Sequence, residues 1–113
     1  MKFASSTTTE VNQMAQDEFA PVTPGEMLKE EFLRGFGLSQ SQLAQAVGIS
    51  PNRIADIVNS RRRITADTAV RLSLFFGNSP EFWMNLQTHH DLKLARRNLK
   101  AADVERIRSQ RVA

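Results

Sequence analysis

The sequence predicts an all-α domain of five short helices, and three observations predict it. Apolar residues recur at helical spacing in five successive segments between residues 21 and 97. Each segment opens on a residue suited to cap a helix (Thr23, Ser39, Ser50, Thr65, Ser79), and proline follows directly at Pro24, Pro51 and Pro80. No segment alternates apolar and polar residues as a half-buried strand would.

Residues 1–20 are polar, rich in Ser, Thr, Gln and Asn, and lack helical periodicity. They read as a disordered or loosely attached arm. The first helix starts at the Thr23 cap, with Pro24 at its first position and Glu26 supplying negative charge to its first turn. Met27, Leu28, Phe32 and Leu33 form its apolar face, and Gly35 and Gly37 end it. Ser39 caps the second helix, and Gln42, three residues on, completes a capping box. Ser50 caps the third, which runs to about Asn59. Thr65 caps the fourth, over residues 66–76, with Ala69, Leu72, Phe75 and Phe76 inward and Gly77 as its stop. Ser79 caps the fifth, where Phe82, Trp83, Leu86 and Leu94 fall at packing positions. Residues 21–97 therefore form the domain. Residues 98–113 are a basic tail, either a short helix around Val104 and Ile107 or frayed chain.

The second and third helices carry the functional signal. In QSQLAQAVGISPNRIADIVN, residues 40–59, the apolar residues Leu43, Val47, Ile49, Ile54 and Ile57 sit where two crossing helices must touch. Ala44 is small at the closest approach. Gly48 stands at the bend, where a left-handed backbone suits glycine. This is the helix-turn-helix pattern, in which the first helix holds the second against a DNA groove.

Composition narrows the alternatives. Without cysteine there is no disulfide framework, thiolate metal site or cysteine nucleophile. No apolar run approaches the ~18 residues of a membrane span, and the N-terminus lacks the apolar stretch of a signal peptide. A soluble, cytoplasmic protein without membrane contact is expected. The net charge of +3 hides an asymmetry. Residues 1–31 hold six acids and two bases, a net −4; residues 32–113 hold thirteen bases and six acids, a net +7. A basic region with and after the helix-turn-helix suits a polyanion. No Gly-rich phosphate loop, metal cluster or nucleophile–base pair stands out, so neither an enzyme nor a cofactor is expected. His89 and His90 diverge by about 100° on a helix and do not share a metal.

Residues 23–97 resemble the phage-repressor-like helix-turn-helix fold, and more narrowly the HigA-type antitoxins of bacterial toxin–antitoxin operons. The resemblance rests on Pro24-Gly25-Glu26-Met27-Leu28, Glu30-Glu31-Phe32-Leu33 and Gly37-Leu38-Ser39-Gln40. It continues in Ile64-Thr65-Ala66-Asp67-Thr68-Ala69 and Arg71-Leu72, and is most specific in the closing block from Phe76 to Gln87, FGNSPEFWMNLQ. It implies a homodimer that represses its own operon and binds a HigB-type toxin, an mRNA-cleaving endonuclease. Where the family has Asn-Gly after the third helix, this chain has Asn59-Ser60. Serine tolerates a left-handed backbone less well, so a differently built loop is expected.

DNA contacts divide into positioning and reading. Gln40, at the start of the second helix, and Arg61, Arg62 and Arg63 are the candidate phosphate contacts. The arginine run otherwise reads as a solvated loop. The base-reading candidates are Ser50, Asn52, Arg53, Asp56 and Asn59. Asn pairs bidentately with adenine and Arg with guanine, each worth roughly 1–3 kcal/mol of discrimination. Asp56 either accepts from a cytosine amino group or pairs with Arg53. One helix reads few base pairs, so a symmetric dimer on a palindromic double-stranded operator is expected, with half-sites about one helical turn (~34–36 Å) apart. Phe82, Trp83 and Leu86 pack in the core or at a dimer contact. The acids of the arm and first helix are a solvated face or meet a basic toxin. The alternative function is a stand-alone helix-turn-helix regulator without a toxin.

Overall fold

Helices form where the caps and apolar spacing demand them. The computed structural model describes residues 22–112; the expected arm of residues 1–20 lies outside the described residues. Helix α1 spans residues 24–36: α-helical over Pro24–Met27, π-helical over Leu28–Leu33 and α-helical again over Arg34–Phe36. Then come α2 (Gln40–Val47), α3 (Pro51–Val58), α4 (Ala66–Phe76), α5 (Pro80–Asn98) and α6 (Ala101–Ser109). The described residues are all-α, with one helix more than the five expected, formed in the stretch read as either a short helix or frayed chain.

Thr23, Ser39, Ser50, Thr65 and Ser79 each accept a backbone N–H at the head of their helix. Thr23–Glu26 and Ser39–Gln42 close full capping boxes. The first helix ends at Gly37, in the left-handed region at φ 66°, while Gly35 stays helical. The π-helical turn lay beyond the sequence reading. There Arg34 N–H donates to the Lys29 carbonyl, five residues back.

The core gathers Leu28 and Leu33 of α1, Leu43, Ala44 and Val47 of α2, Ile54, Ile57 and Val58 of α3, Ala69 and Leu72 of α4, and Trp83 of α5, with Ile49 and Ile64 from the connections. Two apolar positions expected to face inward do not. Phe75 is exposed and lines a surface groove with Phe36, Leu38 and Phe76. The buried stripe of α4 runs through Thr68, Ala69, Leu72 and Ser73, and Phe76, one turn beyond Leu72, continues it. Leu94 is exposed, within the last two turns of a 19-residue helix in which Trp83 and Gln87 are the buried residues.

One close approach joins α1 to α3. A Cβ on Gly25 would collide with the Ile57 carbonyl oxygen and lie 2.9 Å from that of Val58. Glycine is therefore required for the first turn of α1 to seat on the end of α3.

Candidate nucleic-acid interface

The turn between α2 and α3 is pinned from both sides. Gly48 adopts φ 72°, and the N–H groups of Gly48 and Ile49 both donate to the Ala44 carbonyl, at 2.9 and 3.1 Å. From α4, Arg71 Nη1 donates to the carbonyls of Val47 (2.8 Å) and Gly48 (3.4 Å), while its Nε donates to Asp67 at 2.9 Å. A guanidinium at a helix C-terminus satisfies carbonyls that have no partner within the helix and opposes their partial negative charge. Arg71 thus braces the C-terminal end of α2 and the turn that follows from α4.

Helix α3 presents Asn52 to solvent, with exposed Ser50 at its head and exposed Asn59 just past its end. The Ser50 hydroxyl accepts Arg53 N–H at 3.2 Å, which leaves its own proton free to donate. Arg53 is half-buried, and its Nε is covered and unbonded among the described residues. Gln40 occupies the first position of α2, where backbone N–H groups lack intrahelical acceptors.

Of the two alternatives for Asp56, a cytosine contact or a pair with Arg53, the second does not form. Asp56 pairs with Arg61 Nε (3.4 Å) and Arg62 Nε (3.9 Å) rather than with Arg53. The cause is the backbone. Ser60 takes φ 61°, and the N–H groups of Arg61 and Arg62 then converge on the Asp56 carbonyl at 2.7 and 3.2 Å. Serine therefore adopts the left-handed geometry that glycine suits, in place of the different loop the sequence suggested. Its hydroxyl meets the Thr23 hydroxyl at 2.8 Å.

Arg63 is held from α5, where its guanidinium donates to Asp91. Gln87, buried one turn earlier, accepts Ile64 N–H at 2.9 Å and donates to the other Asp91 oxygen at 3.1 Å. Burial raises the Asp91 pKa. Hydrogen bonds from Arg63 and Gln87, with the charges of Arg63 and His90, outweigh that and hold the carboxyl below its ordinary value. Sequence reading quoted Arg71 and Gln87 only as part of the family motif, without a role, and passed over Asp91. The Gln87–Asp91 and Asp67–Arg71 spacings of four residues were the visible signals. Gln87→Leu is expected to cost about 1–3 kcal/mol, because Ile64 N–H stays buried with no acceptor; urea unfolding measures it.

The other candidates separate. Trp83 is fully buried, Phe82 and Leu86 are half-buried against the core, and Trp83 Nε1 donates to Asn78 Oδ1 at 3.2 Å. His89 and His90 are neighbours on α5, and the described residues hold no cluster of three or more His, Asp or Glu able to bind a metal. No helix among them is long and apolar enough to cross a membrane.

A helix-turn-helix family model matches residues 28–83, from within α1 to the buried tryptophan of α5. Virulence-associated protein I of Dichelobacter nodosus is 44% identical over 89 residues, which cover 79% of this chain and 82% of that protein. Antitoxin HigA-1 of Vibrio cholerae is 40% identical over 79 residues, covering 70% and 74%. The chain belongs to the HigA family. A solved HigA structure, the Pseudomonas aeruginosa antitoxin with the higBA promoter, superposes with a TM-score of 0.68 at 40% identity, covering 81% of this chain and 96% of that one. HigA proteins are helix-turn-helix regulators and not enzymes, and the pinned α2–α3 pair is the part of this chain that carries the family's motif.

Proposed function

We propose that this protein is a sequence-specific DNA-binding antitoxin that represses its own operon and neutralises a HigB-type mRNA-endonuclease toxin in the cytoplasm. The carrying observation is the outward polar face of α3, mounted by Gly48 and Arg71 and followed after two residues by three arginines. It occurs in a chain 40% identical to an antitoxin solved with its promoter.

In this reading residues 21–97 are the working domain. Asn52, Arg53 and Asn59, with Ser50 as a donor, meet base edges. Asp56 stands beside them and steadies Arg61 and Arg62. Gln40 and the arginine run meet phosphate. Two copies place two α3 helices on a palindromic operator. Arg53→Ala is expected to relax sequence preference by roughly 1–3 kcal/mol at one operator position. Equal discrimination among operator variants by wild type and variant would remove Arg53 from the reading set.

The experiment that tests the whole reading co-expresses the chain with the gene beside it, purifies any complex, and measures promoter binding with and without the partner. Specific promoter binding together with a co-purifying ribonuclease supports it. Promoter binding without a partner leaves a stand-alone regulator, and absence of both refutes it.

A further inference from the structure

We propose that Asp91 masks Arg63, acting as a built-in substitute for phosphate that a DNA duplex must displace before the third arginine joins the grip. The inference rests on the DNA-binding reading above and names what regulates that site. The anion is fixed in advance. Asp91 gives one oxygen to Arg63, and its other oxygen accepts from Gln87, which is buried and bonded to Ile64 N–H, the residue after Arg63. Little further ordering is needed for the carboxylate to hold the guanidinium.

Charge bookkeeping changes accordingly. The sequence offers three consecutive cations. The fold sets Asp56 against Arg61 and Arg62 and Asp91 against Arg63, so three guanidiniums face two carboxylates. The pair remains open to exchange: the Arg63 side chain is 66% exposed and that of Asp91 33%. Both border an open cleft of about 150 Å³ between the start of α1, the α3–α4 loop and α5. A phosphate arriving there competes with an anion already seated, which holds down affinity on every sequence alike.

The test compares the full-length wild type, Asp91→Asn, Arg63→Ala and the double variant. Each binds the gene's own promoter fragment and a scrambled duplex of equal length over a salt series. Asp91→Asn should bind both duplexes about fivefold more tightly at 0.15 M salt with the salt slope nearly unchanged, because Arg63 meets phosphate in both complexes and only the competing carboxylate is gone. Arg63→Ala should weaken binding to both duplexes and flatten the salt slope by about 0.9, and the double variant should match it, since without Arg63 there is nothing for Asp91 to mask. A second readout needs no variant: the Asp91 carboxyl, followed by carbon NMR, should titrate at higher pH in the DNA complex than in the free protein, because Arg63 has left it. Unchanged or weaker binding by folded Asp91→Asn, or a titration that DNA does not move, overturns the proposal. Wild type that binds neither duplex overturns the DNA-binding reading as well, whereas normal wild-type binding with an indifferent Asp91→Asn removes Asp91 alone.

Discussion

Alanine at Arg61, Arg62 and Arg63 together is expected to weaken binding to operator and scrambled DNA alike by about 30-fold at 0.15 M salt. Three bare phosphate contacts would take roughly 2.7 from the salt slope, at about 0.9 each. Two of the arginines share Asp56, and the third is held by Asp91. Exchanging these carboxylates for phosphate trims the affinity each arginine adds, while the slope should still fall by about the full 2.7. The variant also strips Asp56 of its partners and leaves a carboxylate facing the duplex. Adding Asp56→Asn separates that repulsion from the lost contacts, and should recover part of the affinity without restoring the slope. The operator-to-scrambled ratio should stay nearly constant, since phosphate contacts carry no sequence information. A salt titration with fluorescence-labelled duplexes measures all of this. An unaltered slope would place the arginines in solvent, away from the backbone of the DNA.

What the sequence made legible was local. Caps act over three residues, so Thr23, Ser39, Ser50, Thr65 and Ser79 are readable from their neighbours alone. Gly48 and the apolar spacing from Leu43 to Ile57 likewise determine the crossing of α2 and α3 within one short window. What escaped is long-range. Arg71 bonds carbonyls 24 and 23 residues away, Gln87 an amide 23 residues away, and Asp91 an arginine 28 residues away. No periodicity records such partners. Asp56 shows the difference within a single residue. Its helical spacing to Arg53 suggested one partner, while the left-handed turn at Ser60 brought Arg61 and Arg62 instead. Gly25 was readable as part of a family motif, but its reason, the backbone of Ile57 and Val58 pressed against it, belongs to tertiary packing.

Trp83→Ala should cost about 3–5 kcal/mol of folding stability, the range for deleting a fully buried large aromatic. The side chain has no exposed surface, and its ring lies 4.9 Å from that of Phe32, 5.0 Å from Phe82 and 6.2 Å from Phe76, centroid to centroid. It joins the end of α4 and the head of α5 to α1, so the cavity would open where three helices meet. Alanine also leaves Asn78 Oδ1 without the indole proton it accepts. Domains of this size hold about 5–15 kcal/mol in total, so the variant should be close to half-unfolded at the lower end of that range. Trp83→Phe keeps most of the ring volume and should lose markedly less. A buried tryptophan offers no area to a partner, so any fall in DNA or toxin binding should track the folded fraction measured by circular dichroism and urea titration. Loss of partner binding in a variant that remains fully folded would instead make Trp83 a contact residue, and would mean that α5 opens away from α1 when the complex forms.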